Sequence, residues 1–303
     1  MTHDPRHAAL PFSHVAVIGA GQMGAGIAQV CATAGCHVTV RDVDAEQAAK
    51  GKRAIEASTA KLVEKGKLTA GDRDAALARI SFTDALGAAA QADLVIEAIV
   101  EDLEAKRALW RELDELAPPS SVFATNTSSL KVADQAEVTD RPDRFLGLHF
   151  FNPVPLMGLV EVVSTAATDP GIVASATDFV RTLGKEPVLA RDTTGFIVNV
   201  LLIPYLLDAI RLLERGGGTI GDIDTAMKLG AGYPMGPFTL LDTVGLDTML
   251  RTTRALFAEF GEPRLQAPAM LERLVAAGRL GRKSGKGFYD WSVVPAVPVE
   301  SEK

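Results

Sequence analysis

An α/β domain followed by an all-helical one is the fold this sequence predicts, and three observations carry the reading. Short apolar runs alternate with helix-like stretches through the first part of the chain. A glycine-rich turn follows the first of these runs and opens a helix. After Asp192 the strand-like runs stop. Alternation of this kind is the pattern of a parallel sheet wound with helices, and the boundary is drawn between residues 191 and 192.

The elements follow in order. "HVAVIGAG" is a β run ending in glycine, and a helix starts at Met23 and runs through "GIAQVCATAG". "HVTVRD" is the next strand, closed by Asp42. A long helical stretch, "AEQAAKGKRAIEASTAKLVEKGKL", precedes a turn at Gly71 and a shorter helix reaching about Arg79, so the domain carries a helical-hairpin insertion. "ADLVIEAIV" and "SVFATN" are buried strands separated by the helix "DLEAKRALWRELDEL". "RFLGLHF" and "MGLVEVVS" are strand-like, with the turn chemistry of "NPVP" between them. From "TTGFIVN" onward only helical segments are read, split by "GGG" at 216–218 and by "GAGYPMGPF". The tail "VVPAVPVESEK" is expected to be disordered.

Composition limits the function classes. The chain has 303 residues, 47% of them hydrophobic, which is ample for a packed core in two domains. A net charge of -7 offers a polyanion no general attraction, so no nucleic-acid partner is expected. Cys31 and Cys36 sit in a Val- and Ala-rich segment and read as core thiols of a reduced compartment. "MTHDPRHAALPF" lacks the basic start and apolar run of a signal peptide. The run "GFIVNVLLIPYLLDAI" is interrupted by Asn199, Pro204 and Asp208 and is short for a membrane span. A cytoplasmic protein without a membrane anchor is expected. The few His and Cys show no metal-ligand spacing, and no metal is expected.

The first chemical motif is "VIGAGQMG". Its G-x-G-x-x-G falls on Gly19, Gly21 and Gly24, enclosing Ala20, Gln22 and Met23. Such a pattern alone is weak; behind a strand, opening a helix, and with an acid ending the next strand, it marks a Rossmann-type dinucleotide-binding domain over 1–191. Asp42 is that acid, 18 residues beyond Gly24, placed to hydrogen-bond an adenosine ribose. A carboxylate there favours NAD by repelling a 2′-phosphate, while Arg41 beside it keeps NADP open. The second motif is "HFFNPVPLMGLVE". A hairpin centred on Pro155 sets His149 opposite Glu161. Opposed side chains in such a pair have Cβ atoms about 4.5–5.5 Å apart, so the carboxylate can reach the imidazole. One ring nitrogen is then fixed and the other is left as a general base. A self-satisfying polar pair is the competing reading, weakened by the dinucleotide motif upstream.

At this point a resemblance emerges. "GAGQMGAGIAQV", "EAIVE", "NTSSL", "GLHFFNPVP", "LVEVV", "TTGFIVN" and "AGYPMGPF" together resemble the short-chain L-3-hydroxyacyl-CoA dehydrogenases, including bacterial 3-hydroxybutyryl-CoA dehydrogenases, over about 13–291. The resemblance implies oxidation of a 3-hydroxyacyl-CoA to the 3-ketoacyl-CoA with NAD. It also implies a homodimer held by the helical domain, with which the apolar helix "LLIPYLLDAIRLLE" agrees, although burial within one chain explains that helix equally well. By the same resemblance His149 is the catalytic base, Glu161 its orienting partner, and Ser128 and Asn199 the groups that hold the substrate oxygen. Glu101 and Lys106 fall near the nicotinamide ribose, Asn152 belongs with the cofactor although turn formation explains it equally well, and Lys283 corresponds to a C-terminal lysine that reaches the cofactor. Ser58 and Lys65 lie on the long helix where the family binds coenzyme A. A surface pair on a helix start is the competing reading of Glu101 and Lys106, and a solvated helix face that of Ser58 and Lys65. Two other functions compete: a dehydrogenase of free hydroxy acids, whose lysine-centred site "GLHFFNP" does not match, and a non-catalytic dinucleotide-binding relative. Acyl chain length and pathway direction are not readable from the sequence.

Overall fold

The computed structural model describes residues 10–299. The chain divides into two compact units, Met1–Thr193 and Thr194–Lys303. Residues 1–9 and 300–303 lie outside the description, and with them most of the segment read as lacking a signal peptide and the end of the tail read as disordered.

The N-terminal unit begins with β1 (His14–Ile18), α1 (Gln22–Thr33) and β2 (His37–Arg41). A helical hairpin follows, α2 (Ala45–Glu64) and α3 (Ala70–Ala78), then β3 (Ile80–Thr83), α4 (Leu86–Ala89) and β4 (Leu94–Glu97). Next come α5 (Leu103–Leu116), β5 (Val122–Thr125), α6 (Ala133–Ala136), β6 (Phe145–Phe150), β7 (Leu159–Ser164), α7 (Pro170–Thr182) and β8 (Glu186–Arg191). The strands form one eight-stranded sheet in the order β3-β2-β1-β4-β5-β6-β7-β8. Neighbours from β3 to β6 are parallel, β6 and β7 are antiparallel, and β7 and β8 are parallel again. The central strands β4, β5 and β6 are buried at every position, as strands covered on both faces must be. Carboxylates start the helices: Asp44 accepts from Gln47 N, Asp102 from Ala105 N, and Asp169 from Gly171 N and Ile172 N. Trp110 packs between the rings of Phe123 and Phe145, at 5.1 and 4.7 Å, and fixes α5 on the sheet.

The structure differs from the sequence reading in three respects. Gly71 lies inside the first turn of α3, which Thr69 caps from Asp72 N; the reversal comes earlier, at Gly66, whose φ is +65°. The strands β3 and β8 and the helix α7 extend the sheet unit beyond the elements read from sequence. Part of the tail is ordered: Val297 and Pro298 pair antiparallel with Asp290 and Tyr289, so the second unit is helical with one small ladder.

The C-terminal unit contains α8 (Val198–Glu214), α9 (Ile220–Gly230), α10 (Pro237–Val244), α11 (Leu246–Phe260) and α12 (Ala269–Ala276), then β9 (Tyr289–Asp290) and β10 (Val297–Pro298). Most apolar positions of α8, including Ile203, Leu206, Leu207 and Ile210, enter this unit's own core, while Leu201 and Leu212 stay exposed. Two buried acids tie the start of α10 and the start of β9 into this unit. Asp224 accepts from Phe238 N, Thr239 N, Thr239 Oγ1 and Tyr289 Oη. Asp242 accepts from Phe288 N at 2.9 Å, Tyr289 N at 2.8 Å and Trp291 Nε1 at 2.9 Å, and burial pushes its carboxyl above the usual range. Removing that carboxylate strands three donors at once. Asp242→Ala is expected to cost about 2–4 kcal/mol of stability, read by denaturant unfolding on Trp291 fluorescence. A loss below about 0.5 kcal/mol, the range of an ordinary surface change, would show that Asp242 does not hold this segment.

Candidate active site

The site is built on strand ends. At the end of β1, Gly19 adopts φ +106°, and a Cβ there would lie 2.5 Å from the Ala98 carbonyl oxygen, so only glycine fits between β1 and the segment after β4. A Cβ on Gly24 would lie 1.8 Å from Gly19 O. Around Gly21, by contrast, nothing lies within 4 Å of a Cβ. The space is open where a pyrophosphate has to approach the backbone. Gln22 and Met23 open α1, no side chain caps this end, and its first turn holds no acid. The positive helix terminus is therefore left for an anion. Asp42 closes the other side: Oδ2 accepts from Ala20 N at 2.7 Å and Oδ1 from Val43 N at 2.7 Å, leaving lone pairs for ribose hydroxyls. Arg41 donates from Nε to Asp84 O. The residues present fit a dinucleotide, and the strand order reverses between β1 and β4, the crevice where such ligands bind.

The second half of the crevice lies at the ends of β4, β5 and β6, and it is organised by buried charge. Glu97, the last residue of β4, is fully buried. Its Oε1 accepts from Lys106 Nζ at 2.6 Å and Ile99 N at 2.7 Å, and Oε2 from Thr125 Oγ1 at 2.7 Å. Lys106, also buried, lies 3.1 Å from Glu101 Oε2. Glu101 Oε1 in turn accepts from Thr127 Oγ1, Ser128 N, Ser129 N and Ser129 Oγ at 2.6–3.2 Å. Burial works to raise the Glu101 carboxyl, but the Lys106 ammonium and these donors together hold it below its ordinary range. Burial likewise works against the Lys106 charge, and the two carboxylates outweigh it. For Glu97 burial wins, lifting the carboxyl above the usual range against the pull of Lys106 and Thr125. Glu101 and Lys106 are thus no surface pair; they fasten the loop that carries Ser128.

The register of β6 on β7 sets His149 against Glu161. Nδ1 lies 2.6 Å from Glu161 Oε2, and both residues are buried. Donation from Nδ1–H to the carboxylate fits this spacing and leaves Nε2 as the acceptor. The ring also packs on Phe151, with centroids 4.4 Å apart. Two residues that sequence reasoning missed steady the pair. Asn126 Oδ1 accepts from Phe150 N at 2.9 Å, joining the β5 loop to β6. Lys185 Nζ donates to Val154 O and Met157 O, both at 2.6 Å, and stiffens the β6–β7 turn. Glu97 was also missed as a site residue, although an acid closing the apolar run "LVIE" is a visible signal.

The remaining candidates are placed as follows. Asn152 is exposed just after β6. Ser58 is half-buried on α2, and Lys65 is exposed at its C-terminal cap. Neither lines the cavity of about 850 Å³ found between α1, the α2–α3 turn and the β6–β7 turn, where Leu62, Lys67 and Leu68 represent the hairpin. Within the C-terminal unit, Asn199 is the second residue of α8, and Lys283 Nζ lies 2.6 Å from the Asp247 carboxylate.

A mostly parallel sheet with this crevice, a buried imidazole–carboxylate pair on β6 and β7 and an acid after β2 fit an NAD-dependent dehydrogenase. Comparison with known proteins sharpens the class. Residues 14–193 match the family model described as 3-hydroxyacyl-CoA dehydrogenase, NAD binding domain, and residues 195–291 match that of the C-terminal domain. The chain is 50% identical to the mitochondrial hydroxyacyl-coenzyme A dehydrogenase of Sus scrofa, covering 92% of this chain and 91% of that one. Among solved structures it resembles FadB2 of M. tuberculosis with a TM-score of 0.90 and 46% identity, over 92% of this chain and 99% of that one. It also resembles the (S)-3-hydroxybutyryl-CoA dehydrogenase PaaH1 of Ralstonia eutropha, with a TM-score of 0.88 and 39% identity over 93% and 100% of the two chains. The chain belongs to the 3-hydroxyacyl-CoA dehydrogenase family.

The glycine geometry has a direct test. Because a Cβ at Gly24 meets backbone rather than a movable side chain, Gly24→Ala must displace the start of α1. NADH affinity, followed by fluorescence titration, is expected to fall at least about tenfold, roughly 1.4 kcal/mol. Unchanged affinity would separate the glycine turn from cofactor binding.

Proposed function

We propose that the chain oxidises short-chain (S)-3-hydroxyacyl-CoA, 3-hydroxybutyryl-CoA foremost, to the 3-ketoacyl-CoA, and runs the reverse reaction. The observation that carries the mechanism is the buried 2.6 Å contact between His149 and Glu161 beside the dinucleotide crevice. The substrate class rests on the family and on the likeness to the R. eutropha (S)-3-hydroxybutyryl-CoA dehydrogenase. NAD, when bound, supplies the hydride acceptor. Gly19, Ala20, Gly21, Gln22, Met23, Gly24 and Asp42 would hold its adenosine and pyrophosphate, and the family resemblance adds Glu101, Lys106, Asn152 and Lys283. Since Lys106 is closed off by two carboxylates, its contribution to cofactor binding is through Glu101.

His149 Nε2 takes the proton of the C3 hydroxyl. Glu161, holding Nδ1–H, favours the imidazolium that results and keeps the ring from turning. Ser128 Oγ donates to the substrate oxygen as it becomes a carbonyl, and Asn199 is its second partner by the family resemblance. In the reverse direction imidazolium returns the proton to that oxygen. Ser58 and Lys65 would bind coenzyme A, a remote handle whose binding energy positions the short reacting end. A homodimer held through the C-terminal unit is part of the proposal, supported by the exposed apolar side chains Leu201, Leu212, Leu229, Phe257 and Phe260. A cytoplasmic location completes it, in keeping with two cysteines that are both free and buried. Separately, no helix among the described residues is long and apolar enough to cross a membrane. A preference for free hydroxy acids over their coenzyme A thioesters, in an initial-rate comparison, would refute the substrate assignment.

The catalytic pair is tested by a double-mutant cycle. His149→Ala is expected to abolish turnover while leaving NADH affinity nearly intact. Glu161→Gln keeps a hydrogen bond but removes the charge, and turnover is expected to drop by about 10²–10⁴. The double variant is expected to be little worse than His149→Ala alone, because residues acting as a unit are not additive. Fully additive losses would mean that the two act independently.

A further inference from the structure

We propose that Glu97 is a positioning residue for the reacting half of the site, holding the Ser128 loop through Lys106 and Thr125. The inference rests on the dehydrogenase reading above and assigns a residue to which that reading gives no role. A fully buried carboxylate at the end of a central strand is costly, and the sheet itself does not require it. Its neighbours in the strand register, Ile18 and Thr125, are uncharged. What Glu97 does is visible in its two branches.

One branch runs from Oε1 to the Lys106 ammonium, 2.6 Å away, and on to Glu101 at 3.1 Å. Glu101 then gathers the Thr127 hydroxyl and the Ser128 and Ser129 N–H groups. The other branch runs from Oε2 to the Thr125 hydroxyl, whose oxygen also accepts from Thr127 N at 3.2 Å. Both branches converge on residues 125–129. Lys106 sits nearer Glu97 than Glu101, so Glu97 sets where the ammonium rests. Without the Glu97 charge, Lys106 has a single carboxylate partner and is drawn towards it. Glu101 then trades donors of the serine loop for a tighter ion pair, and Ser128 loses its fixed place. Gly19 and Asp42 form no hydrogen bond within this network; Ile99 N, which lies against Gly19, is also bound by Glu97 Oε1, and an amide oxygen at position 97 still accepts from it.

The test uses the full chain carrying Glu97→Gln, which preserves volume and hydrogen-bonding capacity but not charge. The expected result is a kcat lower by about 10–100-fold, since small misplacements of reacting groups cost on this scale. NADH affinity should weaken several-fold, while affinity for ADP-ribose, a probe of the adenosine half alone, stays within about twofold. Combined with Lys106→Met, the Gln variant should add little to the loss caused by Lys106→Met alone, as for residues acting through one another. If Glu97→Gln does not unfold cooperatively in a thermal melt, Thr125→Val cuts only the second branch, and a smaller kcat loss with intact ADP-ribose binding is expected. The proposal is overturned by a folded variant with wild-type kcat, by ADP-ribose affinity falling in step with NADH affinity, or by additive losses in the cycle. Absence of acyl-CoA turnover in the unmodified protein would instead strike the dehydrogenase reading, and the NADH and ADP-ribose titrations would still decide the role of Glu97.

Discussion

The cross-strand contact between His149 and Glu161 is the constraint to which the rest of the N-terminal unit is fitted. It exists because β6 and β7 run antiparallel in a sheet whose other neighbours are parallel. Antiparallel strands can be joined by a short connection and set side chains directly opposite one another. A parallel pair would need a long crossover and would carry the two residues on separate elements. A register slip of one residue would turn either side chain to the other face of the sheet. Phe150 N bound to Asn126 on one side, and the turn carbonyls bound to Lys185 on the other, resist such a slip. Burial then makes the pair consequential, because in a low-dielectric setting a carboxylate and an imidazole answer strongly to each other.

Buried charge recurs as a structural device in both units. At the ends of β4 and β5 two carboxylates share one ammonium and spend their remaining lone pairs on a loop. In the C-terminal unit Asp224 accepts the unpaired N–H groups of the first turn of α10, and Asp242 those of Phe288 and Tyr289 at the start of β9. In each case an acid supplies acceptors to N–H groups that the helix or sheet ladder leaves unpaired, which is how such backbone stays inside a protein. The cost of burying the acid is offset only when its acceptors are used, so these loops are held by few groups and depend heavily on each.

Much of this was legible in the sequence, and what was missed has physical reasons. The strand–glycine–helix start, Asp42 and the pairing of His149 with Glu161 follow from local pattern and from the symmetry of a hairpin, and the structure has all three. The strands β3 and β8 were not legible because they lie at the two edges of the sheet, where one flank is open and burial is partial. Pro187 inside β8 weakens the pattern further and is tolerated on an edge. Gly71 misled because glycine usually breaks helices, whereas the hydroxyl of Thr69 starts one over it. The Glu97–Lys106 pair could not be read, since contact across nine residues between a strand and a helix leaves no periodic trace. The order of the tail at Val297 and Pro298 depends on partners at Tyr289 and Asp290 that its own composition does not announce.

The placement of the two cysteines has an experimental use unrelated to catalysis. Cys31 on α1 and Cys36 before β2 are both fully buried, and Cys36 points its thiol at Phe12 O. Burial pushes both thiols up, Cys36 to about 11, so the reactive thiolate is scarce in the folded unit. An alkylating reagent can then modify them only when the corner between α1 and β2 opens. The sequence contains no other cysteine, and residues 194–303 have none. The rate of covalent labelling is therefore a clock for the opening of the dinucleotide-binding unit alone, against which the helical unit is silent.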